Sequence, residues 1–308
     1  MKHSLLYYIV NFDKSLLGIL TRLSPRYALM YDKKIIEHAW EKLTGKPLYL
    51  DDPQTYCEKL QWLKLYDRKP QYSILVDKYL VKNWIADKVG SKYVIPTLAV
   101  YHSAAEIDVD SLPEQFVIKC NHDSGSTIIC RNKEDFDIEK AKMKLASALN
   151  KNHYKQSREW VYKNVKPVII AEPLLKNVVN NENSAEDLWT YKFLCFNGVP
   201  KIMYVTVKND DIWENYYDMD FKPLDIKRQY RTNKNLIPRP DAWEEMKHIA
   251  EVLSKDLPHV RVDLYCTDCG IKFSEMGFQD WSGYSLFPTR WEKKLGEWIV
   301  LPTQNKSF

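Results

Sequence analysis

The chain has 308 residues, 45% of them hydrophobic and 28% charged, with a net charge of +4. That length allows one large domain or two to three small ones around a sizeable core, and the charge is too small to mark a nucleic-acid binder, though it suits an anionic substrate. The six cysteines (Cys57, Cys120, Cys130, Cys195, Cys266 and Cys269) lack the density of a disulfide scaffold and point to a reducing, cytoplasmic setting.

An apolar run from Leu5 to Val10 is too short to span a bilayer and has no small-residue cleavage site after it. It reads as an amphipathic helix, with two roles open: packing on the body, which is favoured, or weak contact with a membrane surface. Helical spacing recurs at Ile35, Ile36, Ala39 and Leu43, then from Tyr56 to Tyr66, and then from Ser73 to Val89, where Asp77 and Lys78 stand near the start and Gly90 ends the pattern. KYVIPTLAVY, ending at Tyr101, has strand character. QFVIKC, Gln115 to Cys120, is a buried strand closed by Lys119, and NHDSGST follows as a short polar loop around Gly125 before a second strand, STIIC. A strand-end lysine and a Ser/Gly loop make a flap whose backbone N–H groups can cover phosphates, although one glycine alone is more often a simple turn.

Residues 133 to 153 carry a helical pattern, followed by the mixed aromatic and basic run HYKQSREWVYKNVKP. PVIIAEPLL is an apolar strand ending at Glu172, Pro173, Leu174 and Leu175; a carboxylate and free backbone groups there suit an adenine edge, and a plain strand end is the competing reading. WTYKFLCFNGVPKIMYVTV is a hairpin turning at Asn197-Gly198. A helix over Asp241 to Leu257 then leads into VRVDLYCTDCGIKFSEMGFQDWSG, Val260 to Gly283. In that hairpin Val260, Val262 and Leu264 alternate with Arg261, Asp263 and Tyr265. With Tyr265 opposite Ile271 and Arg261 opposite Glu275, the expected register puts Arg261, Asp263 and Glu275 on one face, two hard oxygen ligands beside a cation. Cys266 and Cys269 form a single CxxC in the turn, better read as turn chemistry than as a zinc or redox site. The order of elements is mixed α+β.

Taken together and in this order, these motifs resemble the ATP-grasp superfamily. Asp77-Lys78, VIK ending at Lys119 with its Ser/Gly flap, Glu172-Pro-Leu-Leu, and Arg261-Val-Asp263 with Glu275 twelve residues on are similar to that superfamily's lysine, flap, adenine hinge and metal strands. EKLQWLKLYDRKPQY, LVDKYLVKNW, FVIKCNHDSGS, REWVYKNVKP, YKFLCFNG, VRVDLY and WSGYSLFP resemble more closely its TupA-like (teichuronopeptide biosynthesis) branch, over about residues 50 to 302. The resemblance implies an ATP-grasp fold with the nucleotide held between two α+β lobes that contain antiparallel sheets. The implied layout is an N-terminal helical extension (1–50), an N-terminal α/β portion (51–110), a flap lobe (111–176) and a C-terminal lobe with the metal hairpin (177–308).

It also implies roles for residues. Lys78 and Lys119 contact ATP phosphates beneath a flap of His122, Ser124, Gly125 and Ser126; Glu172 and the Leu175 backbone take adenine; Asp263 and Glu275 hold Mg²⁺; Arg261 neutralises the acyl phosphate and, with Lys119, is the catalytic candidate. Arg158, Lys163 and Lys166 are candidate acceptor contacts. Three departures from the branch pattern stand out. Gly277 replaces an Asn or Thr that supplies a metal ligand, with Gln279, Asp280 or water as substitutes; Ser274 replaces a Gly; and Thr190 stands where an acidic residue is usual, which leaves Glu186 or Asp187 for ribose. The implied activity is an ATP-dependent carboxylate–amine ligase that joins an amino acid or small amine to a uronic-acid-containing sugar or surface polysaccharide. The alternatives are a sugar kinase on the same site and a nucleotide-binding partner without turnover.

Overall fold

A computed structural model describes residues 25–178, 188–208, 212–233 and 236–303. The N-terminal apolar run and the ribose candidates Glu186 and Asp187 lie outside these residues.

The N-terminal half supplies α1 (Pro25–Thr44), α2 (Tyr56–Tyr66), α3 (Tyr72–Val76), α4 (Val81–Lys88), β1 (Ala99–Tyr101), β2 (Phe116–Cys120), β3 (Ile128–Cys130), α5 (Ile138–Leu149), α6 (His153–Ser157) and β4 (Ile169–Pro173). The remainder forms β5 (Thr190–Phe196), β6 (Val199–Lys208), β7 (Ile212–Tyr217), β8 (Pro223–Leu224), α7 (Trp243–Ser254), β9 (His259–Thr267), β10 (Gly270–Gly277) and α8 (Thr289–Trp298). The strands make two antiparallel sheets, a small one in the order β1-β4-β2-β3 and a large one in the order β10-β9-β5-β6-β7-β8.

Local chemistry explains where these elements stop. α1 ends at Gly45, whose φ of 68° and N–H donated to the Glu41 carbonyl form a left-handed cap. Thr55 and Glu58 build a reciprocal capping box at the start of α2. Asn197 and Gly198 both have positive φ, the requirement of a two-residue hairpin turn between β5 and β6. The helix expected over 73–89 is split, because Asp77 leaves helical geometry (φ −78°, ψ 109°) and its carboxylate accepts the N–H groups of Tyr79 and Leu80 at 2.8 and 3.1 Å. That short side chain competes with the helix for backbone donors and restarts it. The strand expected to end at Tyr101 is only three residues long, preceded by a 3-10 turn at Ser91–Tyr93. The helical pattern over 133–153 shortens to α5, capped by Asp137, with α6 separate.

The large sheet is covered differently on its two faces. On one, Phe193, Cys195, Met203, Val205, Val260, Val262 and Leu264 pack beneath α7, whose Trp243, Met246, Ile249, Ala250 and Leu253 are buried at helical spacing. Truncating the fully buried Trp243 to Ala would cost about 3–5 kcal/mol. On the other face Leu194, Phe196, Ile202 and Tyr204 pack under α1, α2 and α8. That cover is partial. Along β5 the same face continues to Lys192 and Thr190, and there the sheet carries polar side chains instead. Gly296 allows α8 to close on α2, since a Cβ there would lie 2.2 Å from the Gln54 carbonyl oxygen. The small sheet has its own core with α5, built on Phe116, Ile118, Leu145, Ile169 and Ala171.

Candidate functional site

The hairpin of β9 and β10 reaches the expected grouping by a different register. Its two-residue turn at Asp268 and Cys269 sets Lys272 opposite Tyr265 and Phe273 opposite Leu264. Continued regularly, that pairing would put Ser274 opposite Asp263 and turn Glu275 toward the core. A bulge at Ser274 inserts one residue, so Glu275 pairs with Asp263 and Gly277 with Arg261. The grouping of Arg261, Asp263 and Glu275 therefore depends on the bulge, and the expected pairing of Arg261 with Glu275 is corrected. Cys266 and Cys269 are free thiols at this turn.

The three side chains form one charged cluster. Arg261 donates from Nε to Asp263 Oδ1 at 2.6 Å, from Nη2 to Glu275 Oε1 at 2.7 Å, and from Nη1 to Asp280 Oδ1 at 2.7 Å. Lys192, directly opposite Asp263 on β5, reaches Asp263 Oδ2 at 3.0 Å. Lys78 reaches Glu275 Oε2 at 3.0 Å and donates to the Asp123 carbonyl at 2.9 Å. The break at Asp77 aims that lysine. Asn121, at the end of β2, binds the Asp77 carboxylate at 2.9 Å, and its carbonyl accepts the Lys78 N–H at 3.0 Å. Burial pushes the Glu275 carboxyl up, but Lys78, Arg261 and Lys192 together outweigh it and hold it well below the usual carboxylate range.

Gly277 has a physical role in this cluster. A Cβ there would stand 3.4 Å from the Arg261 guanidinium carbon, so the space a ligand side chain would use is filled by Arg261. Asp280 does not replace that ligand. It is fully buried, with its oxygens taken by Arg261, Tyr204 and Arg228. Burial raises its carboxyl, and Arg228 and Arg261 reverse the shift to well below the usual range. Gln279 is also buried, and its Oε1 has no hydrogen-bond partner among the described residues.

The small sheet supplies the facing wall. Lys119, on β2 and 12% exposed, pairs with Glu172 on β4 at 2.6 Å, and Lys82 from α4 takes the other Glu172 oxygen, also at 2.6 Å. Burial raises the Glu172 carboxyl, and the two lysines override it in the lowering direction. The Glu172 carboxylate is thus committed to lysines, and the apolar strand end at Pro173, Leu174 and Leu175 is what lines the cavity beside it. The loop residues divide. Ser124 and Gly125 are exposed at the cavity rim. Ser126 is buried, donating to Asp123 and accepting from the Cys120 N–H, and buried His122 is held between Asn121 and the Lys151 carbonyl. Burial lowers the His122 pKa.

Two cavities meet at this cluster. One, of about 490 Å³, lies between the sheets and is lined by Lys119, Glu172, Leu174 and Leu175 on one side and by Thr190, Asp263, Tyr265 and Glu275 on the other. Ile95, Val117, Ile129 and Leu188 make it apolar away from the lysines. The second, of about 530 Å³, is lined by Glu159, Glu214, Tyr230, Arg261 and Trp281, among others. Lys78, Lys192, Thr206 and Glu275 line both.

This geometry fits a nucleoside triphosphate with a divalent metal. An apolar slot leads to a cluster with three cations around two carboxylates, and Asp263 and Glu275 are hard oxygen donors facing from paired strands. Among the described residues no group of three or more His, Cys, Asp or Glu side chains could hold a metal ion unaided. Two carboxylates suit Mg²⁺, which commonly shares its shell with phosphate oxygens and water.

Sequence reasoning missed several site residues. Lys192 was legible in the Thr190/Lys192 alternation of YKF. Lys82, Arg228, Glu159 and Glu214 carry no local signal and are brought in by the fold. The structure does not bring the acceptor candidates Arg158, Lys163 and Lys166 to the lining of either cavity. Arg158 is buried against Tyr31 and Tyr154 and faces Asp32 at 3.8 Å, and the two lysines are exposed outside both cavities. From that segment His153, Gln156, Ser157, Glu159 and Tyr162 line the second cavity, with Arg158 between them in a left-handed conformation (φ 58°).

Two facing antiparallel sheets with a lysine from each approach and a carboxylate hairpin as floor define the ATP-grasp class. The sequence matches the TupA-like ATPgrasp family over residues 58–300, and the chain belongs to that family. No curated protein matches it. Among solved structures it is similar to D-alanine–D-alanine ligase from Bacillus anthracis (17% identity, TM-score 0.42, covering 73% of this chain and 66% of that one). It is similar also to the ATP-grasp ligase PsnB with a phosphomimetic variant of its minimal precursor, Mg and ADP (11%, 0.43, 93% and 69%). A third is N5-carboxyaminoimidazole synthase from Aspergillus clavatus with ADP and a ribonucleotide (13%, 0.36, 70% and 46%). The chain spans just under two thirds of the first of these and less than half of the third. No helix among the described residues is long and apolar enough to cross a membrane.

Proposed function

We propose that this protein is an ATP-dependent carboxylate–amine ligase. The observation that carries this reading is the meeting of two cavities at one charged cluster, where Lys78, Lys192 and Glu275 face both. A nucleotide in the first cavity would present its terminal phosphate to a carboxylate held in the second. Adenine fits the apolar slot at Leu174 and Leu175, with Lys78 and Lys119 as point charges on the phosphates. Asp263 and Glu275 would hold Mg²⁺, which would supply charge neutralisation to the phosphates.

For this chain's own residues the work is positioning and charge neutralisation. Arg261, fixed through three carboxylates, places a guanidinium where charge develops on the transferring phosphoryl group and then on the oxyanion. The phosphates would take over lysine donors that Glu275 and Glu172 now hold. The substrate carboxylate attacks the γ-phosphorus, ADP leaves, and an amine displaces phosphate from the acyl phosphate to give an amide. We read the substrate as a uronic-acid carboxylate on a sugar or surface polysaccharide, with an amino acid or small amine as nucleophile, from the resemblance of the sequence motifs to the teichuronopeptide-biosynthesis branch.

The test is release of ADP and phosphate over a matrix of uronic acids, UDP-uronic acids and amines, with mass spectrometry of products from ¹⁸O-labelled carboxylate. Amide formation with label passing to phosphate is expected. A stable phosphoester with no free phosphate would refute ligation.

A further inference from the structure

The second cavity contains a carboxylate for which the site described so far has no use. Glu214, on β7 opposite Thr206, is 3% exposed and accepts from the hydroxyls of Tyr216 at 3.0 Å and Thr206 at 3.4 Å. No lysine or arginine among the described residues lies within 4.0 Å of it; of the cations that influence it, Arg228 is committed to Asp280 and Lys192 to Asp263. Glu159 lines the same cavity, also buried, and accepts from the Ser282 hydroxyl, with Lys64, which donates to the Ser157 carbonyl at 3.1 Å, as a cation that acts on it. A buried carboxylate without a counter-ion among the described residues is costly, so Glu214 favours a positive group bound in this cavity.

Independent features point to the same ligand. Trp281 and Ser282 both sit in the left-handed region (φ 50° and 53°), a strained pair held by Gln61, which donates to the Ser282 and Gly283 carbonyls at 3.2 and 2.7 Å. The result is a tryptophan 37% exposed at the cavity, with Tyr230 against it at a ring separation of 5.5 Å and an angle of 58°. Two aromatic faces beside a carboxylate form the arrangement that recognises ammonium groups. The Gln279 Oε1 and Tyr284 hydroxyl atoms, on residues 8% and 7% exposed that line this cavity, have no hydrogen-bond partner among the described residues. Atoms so buried are normally satisfied.

We propose that the second cavity, besides the carboxylate substrate, takes one that carries a protonated amino group, seated on Glu214 and faced by Tyr230 and Trp281, with Glu159, Gln279 and Tyr284 receiving its further polar groups. This rests on the ligase reading only in identifying that substrate with the amine partner of the reaction. Burial raises the Glu214 carboxyl, with Asp280 adding to the effect, so a bound cation would also stabilise its ionised form.

The test is ligand-observed NMR on the full chain saturated with ADP and Mg²⁺, with matched probes: glucosamine against glucose, ethanolamine against ethylene glycol, and putrescine against 1,4-butanediol. At least one amine is expected to bind about 10-fold or more tightly than its hydroxyl counterpart. Glu214→Gln should weaken that amine about 10-fold, and Trp281→Ala and Tyr230→Leu about 3-fold or more, with ADP affinity unchanged. The aromatic variants keep the test open if Glu214→Gln fails to fold. Equal binding of the hydroxyl probes, no binding of any amine, or indifference to all three substitutions would overturn the proposal. Failure of the wild type to bind ADP would refute the ligase reading and leave the amine preference standing on its own result.

Discussion

Replacing Asp280 with Asn removes the charge that joins the site to the core while nearly preserving shape. Asp280 is fully buried and accepts from Arg261, Arg228 and Tyr204; the Arg228 side chain is itself fully buried, and its remaining donors go to the Ser285 carbonyl. Asn keeps one acceptor, so the bond from Tyr204 can persist. What is lost is the counter-charge for two guanidinium groups that cannot deprotonate, and removing one partner of a buried ion pair costs about 3–5 kcal/mol. For a chain of this size that is a fall in Tm of roughly 5–8 °C.

The pH dependence has a definite sign. The folded-state pKa of Asp280 lies below its ordinary value of 3.8, so its contribution is fully present above that value and is lost as pH falls through the folded-state pKa. Asp280→Asn should therefore melt earlier at pH 7, and the gap to wild type should narrow below about pH 4. Calorimetry or circular dichroism from pH 2.5 to 7 measures both. A Tm within about 2 °C of wild type at pH 7, or a gap that widens on acidification, would refute the argument that Asp280 is the charge anchor.

Asp263→Asn and Glu275→Gln should each reduce turnover by two or more orders of magnitude with the circular dichroism spectrum retained, since each removes a negative donor from the metal floor; near-normal turnover in both would place the chemistry elsewhere. Lys119→Met should weaken ATP binding about 10-fold or more by calorimetric titration, whereas Lys163→Met, outside both cavities, should leave it within about 2-fold. Gly277→Asn would press its side chain on the Arg261 guanidinium, 3.4 Å from where its Cβ would stand. It should lower kcat about 10-fold or more with a smaller effect on ATP affinity; a gain in Mg²⁺ affinity with kcat retained would instead mean that the missing ligand can be restored.

How much of this was legible in the sequence depends on whether a residue's partners are local. The alternation of Val260, Val262 and Leu264 with Arg261, Asp263 and Tyr265 is a property of one strand, and it held. The placement of Glu275 depended on counting residues across a turn and through a bulge, and hairpin register has no strong local code when one residue can be absorbed. Lys119 could be read from its strand end, but not that it shares Glu172 with Lys82 from a separate helix. Lys78 was found, and the helix proposed to present it was wrong for a reason visible afterwards in Asp77, which prefers capping Tyr79 and Leu80 to continuing the turn.

Glu214 and Glu159 were the least legible, because an isolated glutamate in a strand or loop has no pattern that distinguishes a buried carboxylate from a solvated one. Their burial follows from the whole assembly: α2 supplies Gln61, which holds the Trp281–Gly283 turn, and that turn's Ser282 holds Glu159. Lys64, from the same helix, is buried over the Tyr284 ring and donates to the Ser157 carbonyl, with burial lowering its pKa to about 8. The helix outside the metal hairpin thus shapes the wall that would choose the second substrate. On the proposed reading, the charged cluster on β9 and β10 would serve the ATP phosphates, and the contacts of α2 with the 281–284 turn would shape the seat of the second substrate.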